Sequence, residues 1–145
     1  MDERLRERDL GVMDGFTRKG IEAQFPEEAE RRTRLGKFYH RPAGGESWCD
    51  VALRIRSVLA DIRAEYDGEN VWVFSHQATI MSFRYVLESL DEPTLLTIDA
   101  EQPLPNCSMT SYEPDDDGGL DLIRYAAAVG DAPTTREPPA DGEGA

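Results

Sequence analysis

The clearest alternation of apolar and polar residues lies over residues 48–66. Apolar side chains recur there every three or four residues, which places them on one face of an α-helix. Ser47, followed three residues later by Asp50, is typical of a helix N-cap with its capping-box partner. The pattern therefore predicts a long helix whose apolar face comprises Trp48, Val51, Ala52, Ile55, Val58, Leu59, Ile62 and Tyr66. Trp48 is interpreted as part of the core or of a cleft wall.

A continuous apolar run follows at residues 71–75, with the sequence Val-Trp-Val-Phe-Ser. A short run of strand-forming residues is typical of a strand buried on both faces, as in the parallel sheets of α/β proteins. A helix is predicted next over about 78–90, and residues 93–98 are expected to form another short element. This succession favours an α/β fold.

The first third of the chain is richer in turns and charges. Residues 11–20 are turn-rich and lead into a short helix near Thr17. A second helix is predicted from about Pro26 to Leu35, because proline suits the first helical position. Three glutamates early in this segment and three arginines later in it match the polarity of the helix dipole.

The end of the chain divides into a hairpin and a tail. Two strands, 107–112 and 119–125, are expected on either side of an Asp- and Gly-rich turn. Residues 129–145 are rich in Pro, Gly and acidic side chains and are interpreted as a disordered tail. Residues 1–128 are then the folded part.

The net charge makes some classes of protein less plausible than others. The 145 residues carry 16 Lys and Arg against 29 Asp and Glu, a net charge of −13. Such a balance argues against general nucleic-acid binding. No apolar run reaches the ~20 residues that span a bilayer, and no secretory signal is visible. With two widely separated cysteines and no metal-like spacing, a cytoplasmic protein without a disulfide framework, metal or cofactor is expected.

The basic residues are concentrated early in the chain. Residues 1–41 contain 10 basic and 9 acidic side chains, whereas most of the acidic excess follows later. Each of these basic residues, considered alone, could simply lie on the solvent-exposed face of a helix. The alternative is that a few of them converge on a small anionic ligand, for which a locally basic pocket in an acidic protein is suited.

His76 is the residue best placed for chemistry. It comes just after the predicted strand at 71–75 and just before a helix, and ligands of open α/β sheets bind at that edge. The free N–H groups of the helix N-terminus suit a phosphate. The alternative is a core or capping histidine. His40, the other histidine, lies in a polar segment and is predicted to face solvent.

Five short motifs occur in order and together resemble the histidine phosphatase superfamily, the phosphoglycerate mutase-like group. Within that group the pattern is most similar to fructose-2,6-bisphosphatase domains. The motifs are Leu5-Arg6-Glu7-Arg8 with Gly11 and Gly15, Phe25-Pro26-Glu27-Glu28, Gly44-Gly45-Glu46-Ser47, Asp50-Val51 with Arg54, and Val73-Phe74-Ser75-His76-Gln77-Ala78.

The resemblance implies a three-layer α/β/α sandwich with a mostly parallel sheet, and phosphoryl transfer through a phosphohistidine. By motif, Glu7 matches the proton donor and His76 matches the second histidine, which binds the phosphoryl oxygens. A surface ion pair is the alternative for Glu7. The implied ligand is a small phosphorylated metabolite, and the implied mechanism needs no metal.

The resemblance also implies a set of substrate contacts. Gln77 matches a substrate-contacting position, and Arg32 and Lys37 match basic residues that hold the sugar-phosphate portion, Lys37 with a one-residue shift. Arg8, in the same motif as Glu7, is added to this set. Met81 departs from the bisphosphatase pattern, which has arginine there, and this argues against fructose 2,6-bisphosphate as the substrate.

The sequence contains no Arg-His-Gly motif, which in this superfamily carries the nucleophilic histidine on the first strand. The chain is therefore interpreted as the C-terminal portion of such a domain, lacking its N-terminal strand and inactive alone. The alternatives are a non-catalytic phospholigand-binding module, a complementing half of a split enzyme, and a structural domain. A sheet edge left open at residues 71–75 would favour a homo-oligomer.

Overall fold

A computed structural model of the chain describes residues 1–128. The predicted tail, 129–145, lies outside the described residues. Two short 3-10 helices, Glu3–Leu5 and Gly11–Met13, precede five α-helices and a β-hairpin. The helices are α1 (Arg18–Gln24), α2 (Pro26–Tyr39), α3 (Trp48–Glu65), α4 (Gln77–Leu87) and α5 (Glu92–Glu101), and the strands are β1 (Met109–Pro114) and β2 (Leu120–Ala127).

Helix α3 confirms the prediction from periodicity. The Ser47 hydroxyl accepts from the Asp50 amide at 3.2 Å, and the Asp50 carboxylate accepts from the Ser47 amide at 2.8 Å, so both halves of the capping box form. Arg41 donates to the same carboxylate. The apolar stripe of α3 is buried at Val51, Ile55 and Leu59 and packs against Phe83, Val86 and Leu87 of α4.

A second apolar cluster lies where four helices meet. Phe38, Trp48, Met81 and Leu95 come from α2, α3, α4 and α5 and are each at most 4% exposed. Burial of these side chains joins the first half of the chain to the second. The cluster also explains Met81, which is fully buried and therefore packs in the core instead of facing a ligand.

Helix α2 runs further than the sequence predicted. It continues to Tyr39 through a kink at Gly36, whose φ of 78° and ψ of 159° are not helical. Glycine adopts a positive φ without the steric penalty of a side chain. The last turn is thereby redirected, and Phe38 in it is buried in the four-helix cluster.

Strands β1 and β2 pair antiparallel, as the sequence predicted for this part of the chain. The hairpin is joined to α4 by polar contacts around Arg84, which is only 5% exposed. The Arg84 guanidinium donates to Glu88 at 2.7 Å, Glu88 accepts from the Tyr112 hydroxyl at 2.7 Å, and the guanidinium lies 4.2 Å from the centre of the Tyr125 ring. A buried cation held in this way fixes the hairpin on the helix.

The predicted strand at 71–75 does not pair. Trp72 is 73% exposed and Phe74 is 90% exposed, so the prediction of a strand buried on both faces is wrong for the described chain. The segment connects α3 to α4 without regular secondary structure, and no backbone group of residues 71–74 hydrogen-bonds to any part of residues 1–128. The described part is thus α/β with helices and one two-stranded antiparallel sheet, and the predicted parallel strand is an unpaired segment.

Among residues 1–128 no helix is both long enough and apolar enough to cross a bilayer. The most extended helix, α3, has 18 residues and carries charged side chains along its outer face. Its exposed residues include Arg56, Asp61 and Arg63. The structure therefore contains no membrane-spanning helix in the part of the chain that it describes.

We expect Asp50→Asn to destabilise the fold in a pH-dependent way. The Arg41 guanidinium, together with Ser47, lowers the pKa of Asp50 from an ordinary 3.8 to about 2. The carboxylate therefore stabilises the fold above pH 4, and this contribution is lost as the pH falls through about 2. Urea unfolding should show a loss of about 1 kcal/mol at pH 6 that shrinks toward acid pH. The exposed Asp67→Asn is the control, and a difference that stays constant with pH contradicts the assignment.

Candidate active site

The N-terminus of α4 is capped by a residue far away in the sequence. His76 occupies the N-cap position, but its side chain makes no capping hydrogen bond. The Glu7 carboxylate instead accepts from the Ala78 amide at 3.2 Å, across 71 residues of sequence, and from the Arg8 amide at 2.7 Å. A carboxylate is favourable there because the first N–H groups and the helix dipole both present positive charge.

Side chains of α4 and of the residue before His76 hold the Glu7 segment in place. The Ser75 hydroxyl donates to the Leu5 carbonyl at 2.7 Å, and the Thr79 hydroxyl donates to the Arg6 carbonyl at 2.8 Å. Ser75 and Thr79 lie on either side of Ala78, whose amide donates to Glu7. Residues 5 and 6 are therefore held along the beginning of α4 by hydrogen bonds to their carbonyl groups, and this positions the side chain of Glu7, the next residue.

Two loops approach each other closely beside this segment. A side chain at Gly11 would lie 2.6 Å from the Gly45 amide nitrogen, and one at Gly45 would lie 2.7 Å from the Asp9 carbonyl oxygen. Glu46 completes the junction by accepting from Arg54 at 3.0 Å and from the Asp9 amide at 3.0 Å. Glu46 thus joins the two loops, while Ser47 and Asp50 cap the helix.

A cavity of about 220 Å³ opens beside the capped helix end. Four of the six predicted site residues line it together, namely Glu7, Arg8, Lys37 and Gln77. Leu10, Trp48, Ala78 and Asp99 complete the wall. The cavity therefore brings together residues from the N-terminal segment and from α2, α3, α4 and α5.

Asp99 also lines the candidate site, and the sequence analysis did not predict it. Its side chain is 3% exposed, and its carboxylate accepts from Gln77 Nε2 at 2.9 Å and pairs with Lys37 Nζ. No motif includes it, and a single acidic residue in an amphipathic helix carries no signal of its own. Trp48 was expected in the core or a cleft wall and lies in both, with its Nε1 buried and lacking a partner among residues 1–128.

Arg8 and Arg32 are close enough for their charges to interact. Burial lowers the pKa of the Arg8 guanidinium, and the positive charge of Arg32 lowers it further. Arg32 lines a neighbouring cavity of about 420 Å³ between α1 and α2, and Lys37 lines both cavities. Within residues 1–128 neither arginine forms an ion pair with a carboxylate. Two unpaired arginines held in proximity are suited to an anion.

The two histidines differ sharply in environment. His76 is exposed and makes no side-chain hydrogen bond within residues 1–128, and it adjoins Gln77 without lining the 220 Å³ cavity. His40, predicted to face solvent, is 1% exposed, so that prediction is wrong. Its Nε2 lies 3.0 Å from the Glu28 carboxylate, a polar partner that permits its burial at the end of α2.

Metal-ligating side chains are scattered in the described chain. Residues 1–128 contain no group of three or more His, Cys, Asp or Glu arranged to hold a metal ion. The carboxylates at the cavity already have partners, since Glu7 accepts backbone N–H groups and Asp99 accepts from Lys37 and Gln77. The polar side-chain groups of the residues that line this cavity are an amine, a guanidinium group, an amide, an indole N–H and two carboxylates.

Comparison with known families identifies the fold. The profile of the histidine phosphatase superfamily, branch 1, matches residues 1–126. The chain belongs to this superfamily. A probable fructose-2,6-bisphosphatase of Schizosaccharomyces pombe is 41% identical over 76 residues, which are 52% of this chain and 18% of that relative. A 2,3-bisphosphoglycerate-dependent phosphoglycerate mutase 2 of Gloeobacter violaceus is 33% identical over 106 residues, 72% of this chain and 48% of the relative.

Solved structures share the fold of this chain. A mycobacterial glucosyl-3-phosphoglycerate phosphatase, solved with VO3, superposes with a TM-score of 0.65 at 29% identity, covering 88% of this chain and 64% of that one. YhfR of Bacillus stearothermophilus superposes with a TM-score of 0.68 at 24% identity, covering 89% and 61%. The chain thus spans less than two thirds of the length of each of these relatives and structures.

We expect Glu7→Ala to lower the free energy of unfolding by about 1 kcal/mol, because α4 loses its carboxylate cap. Glu7→Gln keeps an acceptor oxygen and should lose less. Urea unfolding measures both, and amide hydrogen exchange should show faster exchange at Ala78 in the alanine variant. Glu65→Ala, at the exposed end of α3, is the matched control. Unchanged protection of the Ala78 amide would rule out the cap.

Proposed function

We propose that this chain binds a small phosphate monoester and supplies part of the machinery that hydrolyses it through a phosphohistidine. This proposal rests on the cavity at the N-terminus of α4, which is lined by Glu7, Arg8, Lys37 and Gln77. Helix N-termini and arginine pairs are both suited to phosphate oxygens. The mutase and phosphatase names of the superfamily members support a phosphorylated substrate.

In the proposed reaction a histidine nitrogen attacks phosphorus and a P–N bond forms as the ester P–O bond breaks. Glu7 gives a proton to the leaving oxygen, then accepts one from the water that attacks the phosphohistidine, releasing inorganic phosphate. Arg8, Arg32 and His76 offer positive charge or donors to the phosphoryl oxygens. The position of Glu7 in the cavity wall, beside Arg8 and the helix end, supports this role.

We further propose that neither histidine of this sequence is the nucleophile. His40 is buried and bonded to Glu28, which removes it from the cavity. His76 matches the second histidine of the superfamily, and the 145 residues contain no Arg-His-Gly. Residues 1–145 therefore act with a nucleophile from another polypeptide segment, and alone they bind ligand without turning it over.

The unpaired segment at residues 71–74 favours a complementing role. Its backbone has no hydrogen-bond partner within the described chain, and its side chains Trp72 and Phe74 are exposed. A strand that carries the nucleophile and pairs here would restore the parallel sheet of a three-layer α/β/α sandwich. Alternatively, the same segment of a second copy of this chain could pair here, which would make a homo-oligomer through the open edge.

Binding of phosphate tests the ligand site. We expect inorganic phosphate to bind the isolated chain in isothermal titration calorimetry, and Arg32→Met to weaken binding at least about tenfold through loss of a charge-assisted contact. Arg63→Met, in the exposed face of α3, is the matched control and should leave affinity unchanged. Equal affinity in the two variants, or no binding by the wild type, contradicts the proposed site.

A complementation experiment tests whether this chain provides the proton donor while another segment provides the nucleophile. We expect the chain alone to hydrolyse p-nitrophenyl phosphate no faster than its His76→Ala variant. Addition of a polypeptide that carries an Arg-His-Gly strand should produce hydrolysis that is lost in Glu7→Gln, together with a blue shift of the emission of Trp72. Hydrolysis by the chain alone that depends on His76, or restored activity that survives Glu7→Gln across the pH range, would refute these assignments. Dimerisation without gained activity would favour the homo-oligomer.

A further inference from the structure

Asp99 occupies an unusual position for a residue beside an anion site. Its side chain in α5 is only 3% exposed, and both of its oxygens have cationic or amide donors. Lys37 Nζ contacts one oxygen and Gln77 Nε2 donates to the other at 2.9 Å. Buried charged groups in proteins are generally paired and hydrogen-bonded, as the Asp99 carboxylate is here.

The pairing changes the charge that the cavity offers. Of the four ionisable side chains that line it, Glu7 and Asp99 are carboxylic acids and Arg8 and Lys37 are bases, so the formal charges of the wall sum to zero when both carboxylates are ionised. Lys37 is the cation whose charge is cancelled directly, and its ammonium also lies 5.1 Å from the centre of the Trp48 ring. Arg8 forms no ion pair within residues 1–128, although the negative charges of Glu7, Glu46 and Asp99 act on it at longer range and the positive charge of Arg32 opposes them.

The cations of the site therefore fall into two groups. Arg8 lines this cavity and Arg32 lines the adjoining one, and because neither forms an ion pair the two arginines can hold a dianionic phosphate. Lys37 is instead paired with Asp99, and this pair, the Gln77 amide and the Trp48 indole together offer hydrogen bonds and an aromatic face but no net positive charge. A second phosphate beside the Lys37–Asp99 pair would meet a carboxylate whose repulsion is weakly screened because it is buried.

We propose that Asp99 is a specificity residue: by neutralising Lys37, it makes this cavity select a ligand with one phosphate group and an uncharged, hydroxyl-bearing remainder over its bisphosphorylated counterpart. This inference rests on the proposed function, since it concerns the ligand of the same site. Hydroxyl groups can donate to the Asp99 carboxylate and accept from Lys37 and Gln77, so an uncharged polyol satisfies these three side chains.

The experiment compares two ligands that differ by one phosphate, glucose 6-phosphate and glucose 1,6-bisphosphate, by calorimetry at fixed ionic strength. The wild-type chain should bind the monophosphate at least as tightly as the bisphosphate. Asp99→Asn keeps the size of the side chain but frees the charge of Lys37. It should raise the affinity for the bisphosphate relative to the monophosphate by about tenfold.

Two further variants show whether the effect acts through Lys37. In the double variant Asp99→Asn with Lys37→Met the pair is removed, and the ratio of the two affinities should return to about the wild-type value. Asp121→Asn makes the same change of net charge on the exposed β2 strand and should leave the ratio unchanged. Circular dichroism checks folding, and Asp99→Ser replaces Asp99→Asn if the latter does not fold.

Each outcome decides the inference. An unchanged ratio in folded Asp99→Asn or Asp99→Ser, with both ligands still bound, overturns the role of Asp99 and leaves the proposed phosphate site intact. A wild type that prefers the bisphosphate overturns it too. If the wild type binds neither sugar phosphate nor inorganic phosphate, the proposed function fails and the inference fails with it. A gain that depends on Lys37 supports the assignment.

Discussion

The contact between the Glu7 carboxylate and the N-terminus of α4 is the interaction on which the site depends. It joins residues that are 71 positions apart, and it satisfies a helix end whose own N-cap residue, His76, provides no side-chain acceptor. Because Ser75 and Thr79 hold the neighbouring carbonyls, the whole segment is fixed to the same helix that carries Gln77. The candidate acid, the helix dipole and the ligand cavity are thus positioned by one junction.

The fold was predictable where a local pattern and a local cap coincide. Helix α3 has both, so its bounds and its capping box follow from the sequence alone. The length of α2 did not follow, because the chain continues through Gly36 in a conformation that a periodicity argument does not include. The run at 71–75 has the composition of a strand, but pairing is a property of two segments, and the described chain provides no second one.

Residues of the candidate site could be predicted from the sequence only where they belong to a recognisable motif. Resemblance selected Glu7, Arg8, Lys37 and Gln77, and these line one cavity, whereas Arg32 lines the adjoining cavity and His76 lines neither. Asp99 could not be found this way, because its importance comes from burial and from partners on two other helices. The same reason explains His40, whose partner Glu28 lies 12 residues earlier in the chain and makes burial of a polar segment possible.

The exposed Trp72 and Phe74 have a consequence for the life of the chain in a cell. Large apolar side chains on an unbonded backbone are what chaperones and proteases recognise in unfinished proteins. The two apolar clusters between the helices include no residue of this segment, so the stability that they provide does not protect it. Abundance of the protein should then depend on whether a further strand pairs with this segment after synthesis, which would connect the proposed pairing with protein turnover as well as with structure.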